Sequence, residues 1–141
     1  MPDFDEDRFL ATWRVRFASD PPEAPKWLSV GILTSDYSFA VAQAFDDCKP
    51  GRADCDPLAR QIFAGRAQAP GIYGLRSGAE AMDFAVVWVD PSYNTAAVAA
   101  LDGAYLWLLD RDVTGGGVRL AQARSALAAA GFDTTRLEEN P

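Results

Sequence analysis

The stretch A-Y-L-W-L-L-D-R, residues 104–111, decides the fold. Tyr105, Trp107 and Leu109 project one way and Leu106, Leu108 and Asp110 the other, the two-residue period of a β-strand. Both faces are largely apolar, and a strand buried on both sides needs core on one face and a covering element on the other. The stretch ends in Arg111, a permanent cation with a planar head that stacks well on an aromatic ring. The ring selected by this reading is Trp13, in T-W-R-V-R-F near the opposite end of the chain. The last strand and the first are therefore expected to be neighbours, so that the sheet closes on itself.

Between these two stretches the chain reads as strand after strand. Ala11, Trp13, Val15 and Phe17 alternate with Thr12, Arg14 and Arg16, apolar on one face and cationic on the other, until Asp20-Pro21-Pro22 stops the ladder. Alternation and turn signals place strands at about residues 10–18, 27–35, 39–46, 59–67, 71–76, 84–90, 94–100 and 104–111. Ser77-Gly78-Ala79-Glu80 reads as a loop and Asp102-Gly103 as a tight hairpin. After Gly115-Gly116-Gly117 the period changes. Leu120, Ala123, Leu127 and Ala130 fall at helical spacing and Gly131 is a natural C-terminal cap, so a helix is predicted over about 118–130. Its apolar stripe needs a surface, which the outward Leu106 and Leu108 supply. The predicted architecture is all-β: one domain over residues 1–141, an eight-stranded antiparallel up-and-down barrel with a single helix packed outside. In such a meander the start of the first strand, the end of the eighth and the turn at 90–93 share one end, the floor. The connections after strands one, three, five and seven share the other, the mouth.

Composition removes several function classes. A net charge of −7 argues against nucleic acid and anionic membrane surfaces as partners, and no apolar run approaches the roughly 20 residues of a membrane helix. With no histidine, imidazole acid–base catalysis, Ser-His-Asp triads and histidine metal sites are excluded. Two cysteines cannot build a four-ligand zinc site, and no metal or cofactor is expected. Cys48 and Cys55 bracket the turn-rich K-P-G-R-A-D. They form either a disulfide, stabilising by roughly 2–3 kcal/mol and implying an oxidising compartment, or two unlinked loop thiols. The acidic start Met1-Pro2-Asp3-Phe4-Asp5 does not read as a signal peptide. The expected compartment is the periplasm or outside the cell if a leader has been removed, and the cytoplasm otherwise.

Three motifs carry a family resemblance. Phe4-Asp5 with Arg8-Phe9-Leu10-Ala11-Thr12-Trp13 is similar to the F-D-x-x-R-Y-x-G-T-W start of the lipocalins, Asp90-Pro91-Ser92-Tyr93 to their second motif, and Tyr105 to Arg111 to their third, Y-L-W-[IL]-L-x-R. The ending Ala130-Gly131-Phe132-Asp133 to Leu137 resembles the tail of the bacterial lipocalin group. Ala11 stands where the family usually has glycine, and the Cys48–Cys55 loop is this chain's own. The resemblance implies a calyx that binds and transports or stores a small hydrophobic or amphipathic ligand, often a fatty acid or lysophospholipid in the bacterial group. Its alternatives are a lipocalin-fold isomerase or cyclase, using Tyr105, Tyr73 or an arginine, and a filled barrel serving as an interaction module.

Direction and position select the candidate site. Phe17, Trp27, Phe45, Tyr105 and Trp107 are the expected pocket lining, Arg60 and Arg76 are possible polar anchors at the rim, and Trp13 with Arg111 are structural, closing the floor. Alanines 40, 42, 44, 64, 67, 96, 97, 99 and 100 would leave room for a ligand if they face inward, and mean nothing of the kind if they face outward. No carboxylate pair is placed for acid–base work.

Overall fold

The computed structural model describes residues 1–51 and 60–141. Eight antiparallel strands close into a barrel: β1 (Thr12–Ala18), β2 (Trp27–Ile32), β3 (Phe39–Ala44), β4 (Arg60–Ala69), β5 (Ile72–Ser77), β6 (Glu80–Val89), β7 (Thr95–Ala100) and β8 (Leu106–Asp110). Each pairs with the next, and β1 pairs with both β2 and β8, so the first and last strands are neighbours. A short helix α1 (Glu6–Phe9) precedes β1, helix α2 (Gly117–Ala129) follows β8, and a two-residue strand β9 (Glu138–Glu139) ends the chain.

The two faces of the wall have separate cores. Inside lie Trp13, Val15, Leu28, Val30, Phe39, Val41, Phe63, Tyr73, Leu75, Met82, Phe84, Val86, Val98, Trp107 and Leu109. Outside, Leu120, Ala123 and Leu127 of α2 bury against Ala97, Ala99, Leu106 and Leu108, as the pattern of β8 requires. Each fully buried leucine in that layer contributes roughly 1.5–3 kcal/mol.

Of three register shifts among the described strands, one lies by the β4–β5 turn at Ala67/Ala69, and those in β1 and β6 reset the inside–outside alternation. In β1 the register with β8 shifts between Val15 and Phe17, so Arg16 and Phe17 both face out and Ala18 returns inward. In β6 the shift falls between Val86 and Trp88, which turns Val87 and Trp88 together towards α2. After its bulge β1 has moved away from β2, and β9 takes over the vacated edge, pairing with Phe17 and Ala18. The Asn140 side chain bridges the gap, donating to the carbonyls of Val15 at 3.0 Å and Pro25 at 3.2 Å. Asn140→Ala is expected to cost about 1–3 kcal/mol, because two buried carbonyls lose their donor. Urea denaturation checks this, and a loss of only a few tenths would mean the clasp is idle.

Several boundaries differ from the pattern reading. Residues 77–80 are not a loop but a tight hairpin turn, with Ser77 paired to Glu80 and Gly78 at φ +60. The strand expected from residue 84 therefore starts at Glu80; its polar first turn of ladder is exposed above the core, where alternation gives no apolar signal. β2 stops at Ile32 rather than 35, and β8 starts at Leu106, leaving Tyr105 just before the strand.

Candidate functional site

The floor is built from both ends of the chain. The Trp13 indole is fully buried, donates from Nε1 to the Phe9 carbonyl at 3.0 Å, and lies beneath the Arg111 guanidinium, whose carbon is 5.1 Å from the ring centroid. Arg111 in turn donates to the Arg8 carbonyl at 2.7 Å. The turn at 90–93 joins them: the Tyr93 hydroxyl accepts from the Asp5 amide at 2.9 Å, and Arg8 lies 4.4 Å above the Tyr93 ring. Asp90 organises that turn. Burial pushes its carboxyl up, but hydrogen bonds from the Ser92 side chain and from the Thr95, Asn94 and Ser92 amides outweigh this and hold it below its ordinary value.

The lower half of the calyx is filled by aromatic rings. Phe39 stacks on Tyr73 at 3.9 Å between centroids, and Tyr73 on Phe84 at 5.3 Å. The Tyr73 hydroxyl donates to Glu6 of α1 at 2.8 Å. Burial, helped by Glu6, pushes the Tyr73 phenol far above its usual value, so it stays protonated. Higher up sit Phe63, Met82 and Gln43, whose amide points at the Met82 sulfur at 3.5 Å.

At the mouth, Tyr105 and Trp107 stack at 4.2 Å and wall a cavity of about 210 Å³, completed by Asp20, Glu23, Ala24 and Ala104. The Tyr105 hydroxyl is buried without a hydrogen-bond partner in the described residues. Burial first, then the nearby Asp102 and Asp83, pushes its pKa well up, so it too remains a donor rather than a base.

Tyr105 and Trp107 thus sit together at the mouth, while the other expected lining residues do not join them. Phe17 is outside, under Arg124 at 5.3 Å, because the β1 bulge turned it over. Trp27 is buried on the outer wall beside its cross-strand partner Arg14, since Leu28 and not Trp27 takes the inward position of β2. Phe45 is 46% exposed beyond the end of β3, against Pro21, Pro22 and Lys26. Arg76 is exposed and bound to Asp83 at 2.5 Å, and Arg60 is half-buried at the start of β4. The alanines mostly face outward: Ala40, Ala42 and Ala44 alternate with inward Phe39, Val41 and Gln43, and Ala97 and Ala99 lie under α2. Cys48 is engaged rather than free, but Cys55, and with it the Cys48–Cys55 pairing, lies outside the described residues. Asp20, Glu23 and Ala24 complete the mouth without any sequence motif that marks them. Their signal was topological, since the connection from β1 to β2 must cross the mouth.

Residues 72–141 match the lipocalin-like domain family. No curated protein matches the chain in sequence. Among solved structures, the bovine lipocalin allergen Bos d 2 superposes with a TM-score of 0.65 at 14% identity, covering 97% of this chain and 95% of that one. The cockroach allergen Per a 4 superposes with a TM-score of 0.65 at 11% identity over 99% and 88% of the two chains. A deswapped triple mutant of bovine odorant-binding protein gives 0.55 at 9% identity over 94% and 93%. The closed eight-stranded barrel with its outer helix is the fold of these lipocalins, and residues 72–141 carry the sequence match to the lipocalin-like domain family.

Proposed function

We propose that this chain reversibly binds a compact apolar or amphipathic molecule through the mouth of its barrel. The observation that carries this is the cavity walled by stacked Tyr105 and Trp107, continuous in chemistry with the apolar interior beneath. The solved odorant-binding protein of the same fold, named for such a role, supports the reading. Burying methylenes at roughly 0.8 kcal/mol each supplies the affinity, and the unpaired Tyr105 hydroxyl supplies one directed donor. The cavity alone holds a short body. An acyl chain, such as the fatty acid or lysophospholipid of the bacterial group, extends into space held by Trp107 and Met82, and methionine is the side chain that yields most readily.

The rim adds selectivity. Asp20 and Glu23 line the cavity, Asp83 and Asp102 flank Tyr105 on its other side, and Arg76 is occupied by Asp83. Neutral, zwitterionic or cationic heads are favoured over carboxylates there, so the rim suits a lysophospholipid better than a fatty acid. Titration with phenylnaphthylamine is expected to quench tryptophan fluorescence saturably, with most of the change lost in Trp107→Phe. Decanol and decylamine are expected to compete better than decanoate at low salt. No quenching and no competition by any of them would remove the carrier reading. It would favour the second one, a barrel whose packed interior supports an interaction surface, for which the Phe39–Tyr73–Phe84 stack speaks.

A further inference from the structure

The outer wall carries a second concavity, which shares no lining residue with the Tyr105–Trp107 cavity. Arg14 of β1 and Trp27 of β2 are cross-strand partners, and the alternation that sends Trp13 and Leu28 inward sends both of them out. With Arg16, Asp47, Glu139 and Asn140 they line a groove of about 340 Å³. The Arg14 guanidinium lies 5.3 Å from the Trp27 ring centroid and the Lys49 amine 5.8 Å.

One donor in this groove is left unsatisfied, and a second is only loosely held. Trp27 is only 4% exposed, and its Nε1–H has no acceptor among the described residues. Arg14 is 8% exposed, and its guanidinium is held by charge attraction at long range rather than by a short hydrogen bond. The carboxylate facing it, Asp47, is 3.6 Å away, is itself 81% exposed, and is shared with Lys26 at 3.5 Å. A buried donor without an acceptor is costly, so buried indoles and arginines are ordinarily matched by oxygen acceptors at hydrogen-bond distance. The neighbours do not solve this. The Arg16 guanidinium is committed to the Asp112 and Gly115 carbonyls at 3.0 and 3.1 Å, and Lys26 to the Pro141 carbonyl. Asn140 spends its amide on Val15 and Pro25. Two arginines, Arg14 and Arg16, therefore line the groove beside the indole, with Lys26 sharing Asp47, in a chain whose net charge is −7.

We propose that this groove is an oxyanion site: a carboxylate or phosphate group displaces the Asp47 side chain, accepts two hydrogen bonds from the planar Arg14 guanidinium, and takes a third from Trp27 Nε1–H. The fork of arginine matches two oxygens of either group, and the indole donor adds direction that a surface lysine lacks. The shared chemistry fits a free small anion and the phosphate head of a lipid alike. This groove and the Tyr105–Trp107 cavity have no lining residue in common, so its test is independent of ligand binding there.

The test follows the tryptophan indole N–H resonances by NMR during addition of inorganic phosphate, and separately acetate, at constant ionic strength. The expected result is a saturable shift confined to the Trp27 indole, with affinity weakened roughly tenfold or more in Arg14→Gln. Trp27→Phe keeps an aromatic ring beneath Arg14 but loses the N–H and part of the indole's area; followed through backbone amide resonances, since its indole signal is gone, phosphate binding is expected to weaken severalfold while the fold is retained. Sedimentation with vesicles containing phosphatidic acid separates the sources. Binding that requires Arg14 assigns the site to a lipid head, and a saturable phosphate shift without vesicle binding assigns it to a free anion. A non-saturating shift, or one retained in Arg14→Gln, together with vesicle binding indifferent to Arg14, overturns the proposal.

Discussion

Asp110→Ala is expected to destabilise the protein by about 3–5 kcal/mol, the usual result of breaking a buried ion pair from one side. Asp110 is fully buried at the end of β8. One of its oxygens accepts from the Thr95 hydroxyl of β7 and from Arg119 of α2 at 3.1 Å, and the other from the Asp112 amide at 3.1 Å, with Arg16 of β1 at 3.8 Å. One carboxylate thus joins three strands' worth of wall and the helix. Its removal leaves Arg119 without a counter-charge and the Thr95 hydroxyl without its acceptor, and the Arg119 Nε–Thr95 contact at 2.8 Å cannot replace both. Asp110→Asn keeps the shape and an acceptor oxygen and is expected to lose less, about 1–3 kcal/mol. Urea denaturation of the two variants decides it. Equal and small losses would show that the network is a passive by-product of closure.

Trp13→Ala is expected to cost a similar amount, about 3–5 kcal/mol, by opening a cavity where a fully buried indole stood. The loss has identifiable parts. The ring packs on Phe9 at 5.1 Å, its N–H holds the Phe9 carbonyl, and Arg111 loses the surface it covers. Trp13→Phe refills most of the volume and separates packing from the hydrogen bond. Thermal unfolding should place it between the wild type and Trp13→Ala. An alanine variant as stable as the wild type would mean that the floor is closed by α1 alone.

Much of this structure is legible in alternation, and what is not has a definite physical cause. The two apolar faces of 104–111 required an interior and an outer helix, and Leu106 and Leu108 meet Leu120 and Leu127 accordingly. The meeting of Trp13 and Arg111 followed from the order of an antiparallel meander. Alternation fails where the chain inserts a residue. A bulge leaves no mark on side-chain type, so Phe17, the fourth apolar residue in a clean series, ends up outside. Trp27 was misplaced because its neighbour Leu28 is equally apolar, and a tryptophan on an outer wall can be covered by arginine as well as by core. The mouth residues Asp20 and Glu23 sit in a connection whose composition reads only as a turn.

The relay of β1 from β2 to β9 has a consequence for encounters between molecules. A strand that lost its partner halfway would present a short ladder of bare amides and carbonyls, the template on which two copies of a β-protein exchange segments or stack into fibres. Here the last residues of the chain occupy that ladder at Phe17 and Ala18, and Asn140 latches them down. The tail therefore covers the stretch of β1 that β2 leaves bare, and it does so with a strand only two residues long.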